Sequence, residues 1–330
     1  MKYTYNILLI GAGNIGSRHL QSIAKLNCSV NLFVVDNKKS SLYLAKKRFN
    51  FIQKKIEIKS ISFLTDLNNV SSKIELAIIS TNANIRKKLI EVLLNNKRVK
   101  YLIIEKVCFQ SIQQFKEIIQ LTKKNNTKVW ANLAKRTFPI YRKIKQKINK
   151  EKKIYINFSS GNFDLGCNTI HLLDILSFLS GSMIKEVNMS LVDKKIYKSK
   201  RKGYIDFNGT LKVDTCRGDE MIITNYRNIN KPETLEIHSD NYYFFIDSEL
   251  KKIKFYKKRN QKLKHYSSSS FIEPYQSQIT HLYINNILKY GDCNLPNLNE
   301  AYQLHKPMLI SFLKHIKKYS KKNAKLCNIT

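Results

Sequence analysis

A chain of 330 residues, 43% of them hydrophobic, has the composition of a globular protein and enough length for two buried cores. No apolar run approaches the roughly 18 residues needed to cross a bilayer, and the short apolar stretch near the start runs into glycines without a small-residue cleavage site, so the sequence reads as a mature, soluble protein. A formal net charge of +35 points to nucleic acid, acidic lipid or an anionic substrate, yet only ten of the 59 basic residues are Arg and the 49 Lys are scattered with abundant Asn and Ile, the bias of an A/T-rich coding sequence. There is no arginine-rich arm and no aromatic-basic RNA signature, so no nucleic-acid partner is expected.

From Tyr5 to about Trp130, short apolar runs alternate with helical ones. "NILLI", "VNLFVVD", "IEIKSI", "ELAIIS", "KYLIIEK" and "TKVWANL" read as strands, mostly too continuously apolar to have one wet face, as in a parallel sheet covered on both sides. "SRHLQSIAKL", "SSLYLAKKRF", "NIRKKLIEVLLNN" and "SIQQFKEIIQLTKKN" repeat apolar residues at three and four, as amphipathic helices do. Pro139 fits the first turn of the next helix. Beyond "KKIYINFSSG" one long helix, "NTIHLLDILSFLSG", precedes a series of short strands separated by Gly, Asn and Asp turns, which argues for an antiparallel sheet. "IDFNGTLKVDT" reads as one of these strands and Ser267–Ser270 as a mobile loop. Helices near Tyr275–Lys289 and Asn299–Tyr319 close the chain. The expected class is α/β: a doubly wound parallel sheet over 1–129, then an α/β domain with a large, mainly antiparallel open sheet over 130–330.

Six cysteines, Cys28, Cys108, Cys167, Cys216, Cys293 and Cys327, form no C-x-x-C pair, so a reducing, cytoplasmic setting is expected and no metal site is.

"NILLIGAGNIGSRHL" sets three glycines between a buried strand and a helix starting near Asn14 and Ile15. Gly11 permits the tight turn, Gly13 lets a pyrophosphate approach the backbone, and Gly16 lets helix pack on strand. The helix start then offers unpaired N–H groups to phosphates. Asp36, 20 residues beyond Gly16, ends the second strand where an acid can bind an adenosine ribose; it repels a 2′-phosphate, so NAD is favoured, with Lys38 and Lys39 leaving NADP open. Glycines serving only as packing remain the plain alternative.

In an open parallel sheet, ligands lie beyond the carboxyl ends of the strands. Ser80, Thr81 and Asn82 occupy one such end, suited to ribose or nicotinamide. Glu105 and Lys106 occupy the next, where a surface ion pair is the bland reading. Asn132 and Arg136 follow the sixth strand as substrate contacts. On the long helix Asn168 reads as N-cap and Gly181 as C′ residue, with His171 and Asp174 on one face. A first-turn His171 sits at the positive end of the helix dipole, which favours neutral imidazole ready to take a proton; the alternative is a satisfied core histidine.

"GAGNIGSRHLQ", "STN..IRKKLI", "EK" after the fifth strand, "G..IHLLDILSFLSG", "LPNLNEAYQLHKPM" and the closing "CNIT" together resemble the Gfo/Idh/MocA superfamily of glucose-fructose oxidoreductase and inositol dehydrogenase, closest to members in bacterial surface-polysaccharide assembly. The resemblance implies a Rossmann domain, a second domain whose open sheet often mediates dimers or tetramers, and hydride transfer between NAD(P) and a sugar, nucleotide-sugar or cyclitol carbon. Lys106 matches the lysine of the family's E-K-P, His171 its catalytic histidine and Asp174 the acid three residues on. Val107 stands for the proline, and Cys167, beside Asn168, for the acid four residues before the histidine. The implied chemistry has His171 as base and Lys106 stabilising the alkoxide, both beside the nicotinamide; a catalytically inactive NAD-binding sensor or scaffold is the competing expectation.

Overall fold

The computed structural model describes residues 3–53, 55–260, 262–320 and 324–330. The described chain divides into two compact units: 1–109 with 113–132 and 274–301, and 110–112 with 133–273 and 302–330.

The first unit begins with β1 (Thr4–Ile10), α1 (Asn14–Ile23), β2 (Ser29–Val35), α2 (Lys39–Asn50) and β3 (Glu57–Leu64). It continues with β4 (Lys73–Ile79), α3 (Ala83–Asn96), β5 (Arg98–Ile104), α4 (Ile112–Lys124) and β6 (Lys128–Ala131). The six strands form one sheet in the order β3-β2-β1-β4-β5-β6, with every pairing parallel. Ile7, Leu8 and Leu9 of β1 and Leu76 to Ile79 of β4 are wholly buried, as strands covered on both faces must be. The order reverses between β1 and β4, the crevice where sheets of this kind bind their ligands.

In the second unit a 3₁₀ turn at Ala134–Thr137 leads to α5 (Pro139–Ile148), β7 (Ile154–Gly161), α6 (Leu165–Ser180) and β8 (Ile184–Val192). The short β9 (Tyr197–Lys198) and β10 (Ile205–Asp206) precede β11 (Gly209–Thr215), β12 (Glu220–Tyr226), β13 (Thr234–Ser239), β14 (Tyr242–Asp247), β15 (Lys252–Arg259) and β16 (Lys262–Ser270). Eight of these strands form a sheet ordered β16-β15-β14-β13-β7-β12-β11-β8. It is antiparallel throughout except for the parallel pair β7 and β12. Ile156, Phe158, Ile237 and Phe244 are buried on one face while Tyr155 is 45% exposed on the other, the period-two alternation of a half-wet sheet. The chain ends with α7 (Gln276–Tyr290) and α8 (Leu298–Ser320). Among the described residues no helix is long and apolar enough to cross a membrane.

Four local readings need correction. Ser267–Ser270 is not a loop: it pairs with β15 in register Lys252↔Ser270 to Phe255↔Ser267, so main-chain bonds hold residues whose short side chains bury little. "IDFNGTLKVDT" is two strands, parted at Phe207 and Asn208 just before Gly209, whose φ of +110 suits only glycine. The helix expected from Asn168 starts one turn earlier, at Leu165, because the buried Asp206 carboxylate accepts the Gly166 N–H and caps the helix from β10. Finally α7, placed by sequence in the second domain, lies in the first unit, where it packs on α1.

Candidate functional site

The turn between β1 and α1 is held from several directions. Gly11, at φ +93, donates its N–H to the Val35 carbonyl, and Ser80 spends its hydroxyl on the Gly11 and Ile10 carbonyls. A Cβ on Gly16 would stand 1.9 Å from the Gly11 oxygen, so only glycine lets α1 lie this close to the strand end. Around that packed turn, Gly13, Asn14 and Ile15 are exposed, and a Cβ on Gly13 would meet nothing within 4 Å. The helix start has no side-chain cap and no acidic residue in its first turn, so its amides face open space with the positive end of the dipole. The Arg48 guanidinium donates to the Asn14 side chain at 3.3 Å, a cation at the cradle that sequence reading missed.

Asp36 accepts the Ala12 N–H at 2.7 Å through Oδ2 and the Lys38 N–H at 2.9 Å through Oδ1. Each carboxylate oxygen keeps a further lone pair for a ribose hydroxyl. At the end of β4 the Thr81 hydroxyl oxygen is buried without a hydrogen-bond partner among the described residues, and Asn82 is exposed at the start of α3. Buried polar atoms are satisfied as a rule, so the Thr81 hydroxyl fits a bound polar ligand. Open cradle, uncapped helix, acid on the turn and orphaned hydroxyl together fit a dinucleotide.

Lys106 follows β5 and is half-buried. The preceding Glu105 accepts from His19 Nε2 at 2.9 Å, from Asn132 Nδ2, and from the Lys106 N–H at 3.2 Å. Burial pushes the Glu105 carboxyl up, but His19, Asn132 and the Arg86 charge outweigh it and hold it below the usual carboxylate range. Arg86, fully buried on α3, donates to the carbonyls of Thr81, Val107 and Cys108 and so fastens the segment after Lys106. The Lys106–Val107 peptide bond is cis. Neither His19 nor Arg86 stood out in the sequence, since each looks like one polar residue of an amphipathic helix.

In the second unit α6 is largely buried, but Asp164, Cys167, Asn168 and His171 form a half-buried stripe along its first two turns. His171 therefore lies in the second turn, and the first-turn dipole argument for its charge does not apply. Asn168 is not the N-cap: its side chain donates to the Phe163 carbonyl at 2.5 Å, and the Cys167 thiol reaches the Asn168 amide oxygen at 3.3 Å. Asp174 is fully buried and held through two bonds by Arg136, with Nε to Oδ2 at 3.0 Å. Burial pushes the Asp206 carboxyl under the start of α6 up to about 6, against opposing bonds from the Gly166 and Phe207 amides.

Residues 5–133 match the model of the Gfo/Idh/MocA oxidoreductase family, described as an NAD-binding Rossmann fold. Over this segment the chain is similar to that family's NAD-binding domain. No curated protein matches the sequence. Among solved structures, a super-repressor mutant of Gal80p from Saccharomyces cerevisiae is similar at TM-score 0.72 and 13% identity, covering 96% of either chain. UDP-N-acetylglucosamine 3-dehydrogenase from Acidithiobacillus ferrooxidans is similar at TM-score 0.70 and 13% identity, over 94% of this chain and 98% of that one. The scyllo-inositol dehydrogenase of Lactobacillus casei, solved with bound NAD(H) and scyllo-inositol, gives 0.66 and 16%, over 96% and 98%. At such identities the likeness establishes the fold.

Proposed function

We propose that this protein is an NAD-dependent oxidoreductase that moves hydride between nicotinamide and a carbinol carbon of a sugar or nucleotide sugar. The observation that carries the reading is the cradle: uncapped amides at the start of α1 and an Asp36 carboxylate fixed on the Ala12 N–H. The amides from Gly13 onward would hold the diphosphate, Asp36 the adenosine ribose, and Thr81 with Asn82 the far ribose or nicotinamide. An acid against the 2′ position favours NAD over NADP. Bound nicotinamide supplies the two-electron acceptor.

The chain's own residues handle the proton. A carbinol loses its C–H as hydride readily only when its O–H proton also leaves, and the His171 imidazole is assigned to take it, returning it in the reverse direction. The Lys106 ammonium is assigned to stabilise the developing alkoxide. Asn132, Cys167 and Asn168 are assigned to the sugar. Asp174 and Arg136, expected as catalytic and substrate residues, instead hold each other, and their role in this reading is to fix α6. The excess of Lys and the fold shared with a UDP-sugar dehydrogenase support a nucleotide sugar, and the sequence resemblance supports surface-polysaccharide assembly as its setting. Six free cysteines support the cytoplasm, and the half-wet face of the eight-stranded sheet, with Tyr155 and Tyr243, supports a homo-oligomer.

The test is absorbance of reduced nicotinamide during a screen of sugars and nucleotide sugars, with His171→Ala and Lys106→Ala beside the wild type. Each variant should lose about a hundredfold or more in turnover with NADH binding intact; near-full turnover in both overturns the assignment. A second reading, an NAD-binding sensor or scaffold without turnover, is favoured by the Arg136–Asp174 pair, which withdraws two expected site residues, and by a fold shared with a Gal80p super-repressor. Tight NADH binding with no reaction across the whole panel would establish that alternative.

A further inference from the structure

We propose that His19 is a positioning residue that couples the dinucleotide cradle to Lys106; the inference rests on the role given to Lys106 above. His19 lies on α1, the helix whose start forms the cradle, and is completely buried. Its Nε2 is 2.9 Å from Glu105 Oε1 and its Nδ1 is 2.9 Å from Thr280 Oγ1 on α7. Glu105 is held as a carboxylate, which only accepts, so Nε2 must carry the proton and the ring orientation is fixed.

The contact belongs to a closed circuit. Thr280 Oγ1 accepts from Gln276 Nε2 at 2.7 Å, Gln276 Oε1 accepts from Asn132 Nδ2 at 3.0 Å, and Asn132 Nδ2 also donates to the Glu105 oxygen that His19 holds. Five side chains from α1, α7 and the ends of β5 and β6 thus bind one another in a ring. One bond from that ring reaches toward the proposed chemistry: Glu105 Oε2 accepts the backbone N–H of Lys106 at 3.2 Å.

A histidine serving only as core filling would be a costly choice. Burying a polar ring and a carboxylate together is often no more stabilising than an apolar pair of the same volume, so what the arrangement adds is direction. Any displacement of α1 when its amides engage a diphosphate pulls on the carboxylate that sets the Lys106 backbone. By linkage the effect is reciprocal, so a ligand on Lys106 must alter affinity at the cradle by the same factor.

ADP-ribose is the probe, because it fills the cradle yet carries no nicotinamide ring to shield the lysine directly. The rate of Lys106 labelling by trinitrobenzenesulfonate, read residue by residue by mass spectrometry against the exposed Lys254, is measured with and without ADP-ribose. In the wild type and in His19→Gln, whose amide nitrogen replaces Nε2, ADP-ribose should change the Lys106 rate by about fivefold, the low end for coupled sites. In His19→Leu and Glu105→Gln the change should fall below about 1.5-fold. Should His19→Leu fail to fold by circular dichroism, Glu105→Gln, nearly isosteric, carries the test. A merely structural role lowers thermal stability and leaves the ADP-ribose response intact; the wild-type response surviving in the folded breaking variants overturns the relay. Failure of the wild type to bind ADP-ribose or NADH in a fluorescence titration would instead overturn the proposed function.

Discussion

Replacing Gly13 and Gly16 by alanine, one at a time, separates the two tasks of the cradle. At Gly13 the backbone sits at φ −65, which alanine adopts, and the added Cβ meets nothing within 4 Å. Alanine is the poorer N-cap by up to about 1 kcal/mol, but it restricts the unfolded chain by a similar amount, so net stability should stay within about 0.5 kcal/mol. The methyl group instead takes up open space at the N-cap, next to the first amides in sequence, where a bound diphosphate would have to come close. A hydrogen bond to a charged group contributes about 1.5–3 kcal/mol, so losing one weakens NADH by roughly 10- to 150-fold. At Gly16 the Cβ would lie 1.9 Å from the Gly11 oxygen and 2.8 Å from its carbonyl carbon, backbone atoms that cannot rotate aside. Overpacking of that kind outweighs the roughly 1 kcal/mol alanine gains inside a helix, leaving a net cost of about 2 kcal/mol or more and a Tm lower by roughly 4–8 °C. Thermal melts and NADH fluorescence titrations of both variants decide the matter. A Gly13→Ala protein that melts as early as Gly16→Ala while binding NADH normally would refute this account of the turn.

Asp36→Ala should raise the NADP-to-NAD preference by about tenfold, the scale of one charge contact near a protein surface, measured as the ratio of dissociation constants. Arg136→Ala should cost about 3–5 kcal/mol in urea unfolding because it strips the bidentate partner from a buried carboxylate, and Arg136→Met with Asp174→Leu should recover most of the loss. Asp206 titrates near 6 when folded and near 3.8 when unfolded, so the folded state holds its proton more tightly. Its contribution is therefore complete below about pH 4 and is lost by about 3 kcal/mol as pH rises through 6. Stability of Asp206→Asn relative to wild type should accordingly rise between pH 4 and 7, and a flat difference would contradict the burial of this carboxyl.

The parallel sheet could be read from the sequence because strands such as "NILLI" bury both faces and show it as unbroken apolar runs. The geometry of the glycine turn and the place of Asp36 after β2 were equally readable, because both are local to one strand-turn-helix unit. What escaped depends on residues far along the chain. His19 takes its meaning from Glu105 and Thr280, 86 and 261 positions away. The start of α6 depends on Asp206, 40 residues beyond Gly166. Arg86 looks like any polar residue of an amphipathic helix until its carbonyl partners at Val107 and Cys108 fold over it. Asp174 invited a chemical role by sharing a face with His171, and its contact with Arg136, 38 positions earlier, could not be read from that spacing.

The placement of α7 bears on how this chain comes off the ribosome. Ile279, Thr280, Ile284 and Ile287 of α7 are buried in a unit whose other segments end at residue 132, so well over a hundred intervening residues must be synthesised before that surface is sealed. At roughly 5–20 residues per second the nascent sheet waits many seconds with the polar ring of His19 uncovered. A fragment cut at residue 132 inherits that state permanently and should aggregate or bind chaperones, whereas co-expressing residues 274–301 in trans should rescue it.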